Sequence, residues 1–295
     1  MTKIAVVAHQ GKTLGGGLGE LRRVLSARGF PDPLWYEAPS SREAAPLAQK
    51  AVADGAELIF LWGGDGTIQR CVNVIAGENV TLAILPAGTA NLLAMNLGVP
   101  TDLEEAVDVG LNGDRRRLDV GVLNGKRFNV LAGVGFDALA MRNADDNLKQ
   151  HIGRLAYVLT GTKATQMNPR HVRIKVDKQP WFEGEATCVL LGQMGSVAGG
   201  VVVFPDAQPD DGLLEIGVVT AENALEWARV LARIVVGNAE HSPLAQMTRG
   251  RRVDIQLSRP TVYELDGGAR KAKKQLRATI EPGAIEVCVP RVVPQ

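Results

Sequence analysis

The first third of the chain alternates short apolar runs with segments of helical periodicity. The apolar runs at 3–9, 57–62 and 80–85 are uniform enough for strands that are buried on both faces. The segments 18–25 and 41–54, which lie between them, carry apolar residues at helical spacing or are rich in Ala. This alternation predicts a parallel, doubly wound sheet with helices on both of its faces.

The pattern changes near residue 115. Most segments beyond it have the character of short strands bounded by Gly, Pro or Asn, and only the stretches 150–165 and 221–236 have helical character. Asn124-Gly125 is a strong hairpin signal. The strand candidates are 117–123, 127–134, 171–177, 185–193, 213–219, 252–257, 261–265, 275–280 and 284–289.

We place a domain boundary at this change of pattern. The first domain, 1–115, is predicted as an α/β N-terminal domain that binds a nucleotide on a parallel, doubly wound sheet. The second domain, 116–295, is predicted as a mainly antiparallel β-sandwich C-terminal domain. With 295 residues and 45% apolar content, the chain can bury two cores.

Composition argues against several classes of protein. The net charge of +1 gives nucleic-acid binding no support. No run approaches the roughly 18 uninterrupted apolar residues of a transmembrane helix. The three cysteines, Cys71, Cys188 and Cys288, are far apart and lack the spacing of metal ligands. We therefore expect free, mostly buried thiols in a reducing cytoplasm.

The loop Gly63-Gly64-Asp65-Gly66-Thr67 lies between a buried strand and a helix. Ligands bind open α/β sheets at the carboxyl ends of strands, glycines let the backbone approach a polyphosphate, and the N–H groups of a helix N-terminus favour anions. Asp65 would repel a bare phosphate, so it suits a Mg²⁺ ion, a ribose or a water molecule. The structural alternative is an ordinary strand-to-helix turn with Asp65 as a helix cap.

The next strand ends in a second small-residue turn, Pro86-Ala87-Gly88-Thr89-Ala90-Asn91. Thr89 and Asn91 offer a hydroxyl and an amide at the same sheet edge as Asp65, although Asn91 also suits a helix N-cap. Two adjacent strands with polar, glycine-rich turns at one edge predict a nucleotide cleft. The predicted nucleotide-binding residues are Gly63, Gly64, Asp65, Gly66, Thr67, Gly88, Thr89 and Asn91.

The two loops together resemble the catalytic domain of diacylglycerol and sphingosine kinases, and the soluble bacterial diacylglycerol kinase-like lipid kinases most of all. The Gly-Gly-Asp-Gly loop is also shared with NAD kinases and 6-phosphofructokinases, whereas the Pro-x-Gly-Thr-x-Asn turn separates the lipid kinases from them. The resemblance continues through Arg117-Leu118-Asp119-Val120-Gly121, Phe128-Asn129, Gly133-Val134-Gly135-Phe136-Asp137, Pro205-Asp206-Ala207, Asp210-Asp211-Gly212-Leu213 and Leu265-Asp266-Gly267.

The resemblance implies ATP-dependent phosphorylation of a lipid hydroxyl, with diacylglycerol converted to phosphatidic acid. It implies ATP and Mg²⁺ as cofactors, with ATP and substrate in a cleft between the two domains. Carried over residue by residue, Asp211 becomes the side-chain ligand of a structural Mg²⁺, with the main-chain carbonyls of Gln208 and Leu213 nearby. An ordinary acidic turn at 210–212 is the alternative.

Two positions depart from the family pattern. His9-Gln10-Gly11-Lys12 stands where the family has Asn-Pro-x-x-Gly, so the contacts of this loop with ATP must differ. Gly268 stands where the family has the Glu of its Asp-Gly-Glu motif, which supplies the general base. We therefore predict Asp266 as the base, with Glu264 as the second choice, and Asp65 as the other catalytic carboxylate.

Three basic clusters, at 115–117, 249–252 and 270–274, are either solvated faces or surfaces attracted to an anionic membrane. We expect a cytoplasmic protein that meets its lipid substrate peripherally, at the inner membrane surface. A homodimer is left open, because the sequence does not reveal the oligomeric state. The alternative functions are an NAD-kinase-like or other small-molecule kinase, and a nucleotide-binding protein that has lost catalysis.

Overall fold

A computed structural model describes residues 2–135, 169–197, 201–235 and 242–291. The chain forms two compact units. The first comprises Met1–Asp119 and Pro282–Gln295, and the second comprises Val120–Glu281. Residues 282–291 are predicted as part of the β-rich domain, but they belong to the first unit, because the final strand of the chain pairs there.

The first unit is an α/β unit with a parallel sheet. Its strands follow the order β16 (Gly268–Val289), β4 (Thr81–Pro86), β3 (Leu58–Gly63), β1 (Ile4–His9) and β2 (Leu34–Ala38), and every neighbouring pair in this series is parallel. The predicted α/β class of this part of the chain is therefore confirmed. Its elements are β1 Ile4–His9, α1 Gly17–Ala27, β2 Leu34–Ala38, α2 Ser41–Ala53, β3 Leu58–Gly63, α3 Asp65–Ile75, β4 Thr81–Pro86, α4 Leu92–Asn96 and α5 Leu103–Asn112.

The register of the central strands determines where the loops lie. Ala8 of β1 is paired with Trp62 of β3, and Trp62 is paired in turn with Leu85 of β4. All residues of β3 are buried, which agrees with its uninterrupted apolar sequence. Because these strands are parallel and in step, the loops that follow β1, β3 and β4 lie at one edge of the sheet.

The second unit is mainly antiparallel. Its pairs follow the order β14, β13, β10, β7, β15, β16, and all of them are antiparallel. β5 and β16 each have residues in both units. The elements are β5 Asp114–Leu123, β6 Lys126–Phe128, β7 Leu131–Val134, β8 Arg170–Val176, β9 Gln179–Ala186, β10 Cys188–Gly192, β11 Ser196–Val197, β12 Val201–Val202, β13 Leu214–Val219, α6 Ala224–Val235, β14 Ala245–Gly250, β15 Arg252–Leu265 and β16 Gly268–Val289.

Two-residue turns join three of the hairpins in the second unit. Asn124-Gly125, the predicted hairpin signal, joins β5 to β6 with both residues in left-handed backbone conformations. Asp177-Lys178 and Asp266-Gly267 have the same backbone signs and join β8 to β9 and β15 to β16. Such turns match the twist of the strands that they connect. The Asn-Gly prediction is confirmed, and the other two hairpins were not predicted.

Several predicted strand limits are wrong. The candidates 252–257 and 261–265 form one strand, β15, whose pairing with β16 is interrupted by bulges between Gln256 and Tyr263. The candidates 275–280 and 284–289 likewise belong to the single strand β16. The strands β9 and β14 were not predicted as such.

Two helices are predicted in the second half of the chain, and the structure describes one of them. The stretch 221–236 is confirmed as a helix, α6, whereas the stretch 150–165 lies outside the described residues. The three cysteines are free and buried, as expected, and burial raises the pKa of the Cys71 thiol to about 12. None of the helices in the described ranges is long and apolar enough to cross a bilayer.

Candidate active site

The two predicted glycine loops touch each other at the carboxyl edge of the first unit's sheet. Gly63, the last residue of β3, is paired with Pro86, the last residue of β4. A Cβ atom on Gly88 would lie only 2.4 Å from the Cα of Gly64, so no larger residue fits there without moving the loops apart. The main-chain N–H of Ala87 donates to the carbonyl of Gly63 over 3.1 Å. Glycine at 64 and 88 therefore allows the two loops to meet.

Helix α3 starts immediately after the first loop. The N–H groups of Thr67 and Ile68 donate to the carbonyl of Gly64, over 2.8 and 3.1 Å, and form the first turn of the helix. Gly66 is exposed, and a Cβ atom there would meet nothing within 4 Å. Thr67 is buried, with its side chain against Gly63. The open space at Gly66, beside the helix N-terminus, can accommodate an anion. The buried Thr67 side chain packs against Gly63 and supports the loop.

Asp65 connects the two loops. Its Oδ1 accepts a hydrogen bond from the main-chain N–H of Leu92, at the start of α4, over 2.5 Å. The carboxylate therefore caps the helix that follows the second loop, and not α3 as the structural alternative proposed. Burial raises the pKa of this carboxyl, and hydrogen bonds from the main chain of Leu92 and its neighbours partly oppose that shift.

Asn91 and Thr89 have different surroundings. Asn91 has a left-handed backbone, and its side chain accepts from the N–H of Gly88 and donates to the carbonyls of Pro86 and Gly88, over 2.8 to 3.0 Å. Its amide therefore braces the loop from within and does not cap the helix. Thr89 is exposed at the tip of the same loop. Of the two predicted contacts, the Thr89 hydroxyl is the one that faces solvent.

The divergent loop after β1 reaches the same edge. The indole N–H of Trp62 donates to the carbonyl of Lys12 over 3.0 Å, which ties this loop to β3. The imidazole Nδ1 of His9 accepts from the N–H of Gly11, and the Gln10 amide donates to Glu37. The side chains of His9 and Gln10 thus have partners within the first unit.

Asp266, the predicted base, is in the second unit and is 9% exposed. It is the first residue of the two-residue turn between β15 and β16. Its carboxylate accepts hydrogen bonds from the main-chain N–H groups of Asn129, Val130 and Leu131, over 2.8, 2.9 and 3.1 Å. The Asp-Gly hairpin signal was present in the sequence, but these three donors come from a distant segment and had no sequence signal.

Comparisons with known proteins identify the family. A model described as the diacylglycerol kinase catalytic domain matches residues 11–123, and one described as the YegS C-terminal NAD kinase beta sandwich-like domain matches residues 130–289. A diacylglycerol kinase of Bacillus subtilis is 32% identical over 229 residues, which cover 76% of this chain and 75% of that protein. The chain belongs to the diacylglycerol kinase family. The prediction that it is a kinase of this class is confirmed.

Solved structures have the fold of this diacylglycerol kinase family member. A diacylglycerol kinase structure from Bacillus anthracis has a TM-score of 0.79 at 24% identity and covers 97% of this chain and 96% of that chain. An NAD kinase from Archaeoglobus fulgidus in complex with ATP has a TM-score of 0.54 at 12% identity and covers 97% of this chain and 93% of that chain. The predicted two-part architecture is confirmed, but the fold alone does not separate lipid kinases from NAD kinases.

The predicted metal ligand Asp211 lies in an acidic turn of the kinase's second unit. Its Oδ1 accepts from the N–H of Leu213 over 2.9 Å, which is the geometry of the ordinary turn. Burial, together with the nearby carboxylates of Asp211 and Asp206, raises the pKa of Glu215, and Arg249 partly opposes that shift. Within the described ranges no group of three or more His, Cys, Asp or Glu side chains has the arrangement of a metal site. A cation at this turn would therefore depend on main-chain carbonyls as well as Asp211.

A cavity of about 390 Å³ lies at the opposite end of the kinase's first-unit strands. It is lined by residues at the starts of β3 and β4 and by the end of β16, and the carboxylates of Glu57, Glu78 and Glu286 lie around it. The Thr81 hydroxyl donates to Glu286 over 2.6 Å. Carboxylates repel phosphates, so this cavity is a poor nucleotide site in comparison with the glycine loops.

Proposed function

We propose that this chain catalyses the ATP-dependent phosphorylation of a lipid hydroxyl, with diacylglycerol as acceptor and phosphatidic acid as product. The observation that carries the proposal is the contact between the loops at 63–67 and 86–91, which leaves open space over the N-terminus of α3. The family relatives named diacylglycerol kinase support the lipid acceptor.

In the proposed complex the phosphates of ATP lie against the two glycine loops. Gly64 and Gly88 keep the backbone free of side chains where the loops meet, and the N-terminus of α3 supplies partial positive charge to the phosphates. Thr89 offers an exposed hydroxyl. In this complex Asp65 lies near the phosphates, on which negative charge develops during transfer. Its carboxylate suits the divalent cation that accompanies ATP.

The proposed reaction is an in-line phosphoryl transfer. The lipid hydroxyl oxygen forms a bond with the γ-phosphorus, the bond from that phosphorus to the β,γ-bridging oxygen breaks, and ADP leaves with the electron pair. The hydroxyl proton passes to a carboxylate base, for which Asp266 is our candidate. Three main-chain N–H groups already occupy the Asp266 oxygens, so the lipid hydroxyl must share one of them with a backbone donor.

We further propose that the acidic turn holds a structural Mg²⁺ ion. Asp211 would supply a carboxylate oxygen, and Gln208 and Leu213 would supply main-chain carbonyls. The pKa of Glu215, raised by burial and by its acidic neighbours, supports an excess of negative charge that a divalent cation would relieve. This ion would hold the turn in place. It would have a structural role and would take no part in the phosphoryl transfer.

The membrane partner is also a proposal, and the hairpin of β15 and β16 supports it. We call the five basic residues on its exposed half the basic hairpin: Arg259, Arg270, Lys271, Lys273 and Lys274. The acidic side chains on this part of the hairpin, Glu264 and Asp266, are buried, while Val262 is 49% exposed. Such a surface suits the anionic inner face of a membrane, where each basic residue contributes about 1 kcal/mol.

A phosphoryl-transfer assay with γ-labelled ATP and Mg²⁺ tests the proposed function. The acceptors are diacylglycerol in mixed micelles, sphingosine in the same micelles, and NAD in solution. Label in phosphatidic acid is the expected result. Label in NADP⁺ would instead support the small-molecule kinase, and ATP binding without transfer to any acceptor would support a chain that has lost catalysis.

A further inference from the structure

Two buried amide side chains in the second unit have atoms without hydrogen-bond partners. Gln193 is 1% exposed, and within the described part of the chain neither its Oε1 nor its Nε2 has a partner. Asn129 is 4% exposed, and its Oδ1 has none there either. Folding has removed these polar atoms from water without compensation, which is unusual for a native protein and calls for an explanation.

Val130 links the two amide residues and Asp266 through main-chain hydrogen bonds and the chain itself. The carbonyl of Val130 accepts from the main-chain N–H of Gln193 over 2.9 Å. The N–H of Val130 donates to Oδ1 of Asp266 over 2.9 Å, and the N–H of Asn129 donates to Oδ2 over 2.8 Å. Asn129 therefore belongs to the peptide segment to which the candidate base is anchored, and Gln193 is hydrogen-bonded to that segment through its main chain.

Stability does not account for a glutamine at this position. Val189 and Leu191 lie at alternate positions along β10 and pack into the core of the second unit with Ala132 and Val134. Gln193 directly follows β10 and is as deeply buried as these two residues. An apolar residue would continue this pattern at no desolvation cost, so the amide serves something other than packing.

We propose that Asn129 and Gln193 bind the glycerol end of the acceptor lipid beside Asp266 and so act as substrate-positioning residues. This inference rests on the proposed function. The unpartnered atoms are one donor group, Nε2 of Gln193, and two acceptors, Oε1 of Gln193 and Oδ1 of Asn129. Their ligand must offer both an acceptor and a donor.

Diacylglycerol offers both kinds of group: its ester carbonyls accept hydrogen bonds, and its free hydroxyl can donate to one of the two amide oxygens before the proton passes to Asp266. A phosphate or an ionised carboxylate offers acceptors alone and would leave the two amide oxygens unsatisfied. A buried water molecule meets the requirement as well, so the experiment must separate a lipid from a water.

The test compares Gln193→Met, which keeps the shape of the side chain, with the wild-type protein. We expect an unchanged or raised Tm, because an uncompensated polar group is removed from the core. We expect the KM for diacylglycerol in mixed micelles to rise about tenfold, with the KM for ATP unchanged. Asn129→Leu, which leaves the backbone hydrogen bond to Asp266 in place, is expected to behave in the same way.

Thr187→Val is the matched control. Thr187 is 1% exposed in the same unit, and its hydroxyl donates to the carbonyl of Val219 over 3.1 Å. This buried polar group is satisfied, so its removal is expected to lower the Tm and to leave the KM for diacylglycerol unchanged. If Gln193→Met behaves like Thr187→Val, the glutamine binds water or protein and the inference is overturned.

A second measurement uses an acceptor without esters. The wild-type protein is expected to prefer diacylglycerol over a long-chain primary alcohol in the same micelles, and Gln193→Met is expected to reduce that preference about tenfold. If the wild-type protein and Gln193→Met prefer diacylglycerol over the alcohol to the same degree, the inference is overturned while the proposed function stands. A wild-type protein that transfers no phosphate to diacylglycerol would overturn the proposed function, and the inference with it.

Discussion

Asp65 in the first unit and Asp266 in the second both accept main-chain hydrogen bonds, but their surroundings differ. Each carboxylate accepts main-chain N–H groups from a segment distant in sequence. Asp65 lies between glycine loops beside exposed Gly66, and burial raises the pKa of its carboxyl. Asp266 is almost fully buried in a hairpin turn, where three N–H groups share its two oxygens.

The two carboxylates differ in the space that lies next to them. Main-chain groups of Leu92 and its neighbours bond to Asp65, and open space lies beside the next residue, Gly66. Asp266 is buried and accepts three main-chain N–H groups, so its substitution must affect folding as well as chemistry. Substitution of Asp65 should cost activity alone, whereas substitution of Asp266 should cost both activity and stability.

The largest effect is expected for Asp65→Asn. Turnover should fall on the order of 1,000-fold, because a charge at the phosphate site is lost. The sign of the stability effect follows from the raised pKa: protonated Asp65 favours folding at low pH, and this contribution is lost as pH rises through the raised pKa. At neutral pH the buried, ionised Asp65 carboxylate lowers stability, and a neutral asparagine does not. We therefore expect the Tm of the variant at neutral pH to equal or exceed the wild-type value, and the difference to shrink in acid.

Asp102→Asn is the control for this substitution. The Asp102 carboxylate accepts the N–H of Glu105 over 3.0 Å at the N-terminus of α5, away from the glycine loops. Turnover should remain at the wild-type level. Comparable losses of turnover in both variants would mean that helix capping, and not a nucleotide site, explains Asp65.

Asp266→Asn should reduce turnover about 100-fold with little change in ATP affinity. It should also lower the free energy of unfolding by about 1–3 kcal/mol, because an amide nitrogen would face at least one backbone N–H. Turnover against pH and chemical denaturation measure the two effects. A base at 266 predicts that the acidic limb of the pH profile is lost in the variant.

Asp177→Asn is a close control, because Asp177 also begins a two-residue hairpin turn with positive φ. Its carboxylate accepts the N–H groups of Arg251 and Arg252, over 3.0 and 2.9 Å. The variant should lose stability and retain turnover. Unchanged turnover in Asp266→Asn as well would remove Asp266 from the mechanism and leave it a purely structural role.

Gly88→Ala should weaken ATP binding about tenfold, because the new Cβ would lie 2.4 Å from the Cα of Gly64 and 2.6 Å from Oδ1 of Asn91. Calorimetric titration measures the affinity. Gly19→Ala, at a helical position where a Cβ meets nothing within 4 Å, should keep the affinity and add about 0.5–1 kcal/mol of stability. Normal ATP affinity in Gly88→Ala would contradict close contact between the loops and the nucleotide.

Lys273→Gln, in the basic hairpin, should produce the smallest effect. The loss of about 1 kcal/mol corresponds to a roughly fivefold weaker partition onto vesicles that contain anionic phospholipid. Lys175→Gln, on the hairpin of β8 and β9 with Glu183 and Glu185, makes the same charge change and should leave partition unaltered. Equal weakening in both variants would point to net charge and not to the basic hairpin.

The fold class of both units was predictable from the sequence, whereas the strand limits and the strand pairing of the second unit were not. Uninterrupted apolar strands such as β3 and the glycine loops after them carry local signals, so the sheet edge and its glycines follow from a short window. The strands of the second unit are interrupted by bulges and by turns such as Asp177-Lys178, which lacks glycine. Their pairing depends on distant partners, which local patterns do not specify.

The candidate site shows the same division. The sequence predicts a phosphate-binding turn at Asp65, but the hydrogen bond from Leu92 that couples the two loops depends on their register. The sequence predicts Asn91 as a nucleotide contact, but it carries no signal for the hydrogen bonds by which its amide holds its own loop. Gln193 had no signal at all, because an unsatisfied amide is visible only once its neighbours are known.

Hydrogen–deuterium exchange of the wild-type protein, with and without ATP and Mg²⁺, tests the proposed nucleotide site most directly. We predict slower exchange in two segments, 64–68 and 87–93, and no change at 77–81, which lines the cavity at the opposite end of the strands. Protection at 77–81 with unchanged exchange in both glycine loops would contradict a nucleotide site at the Asp65 edge.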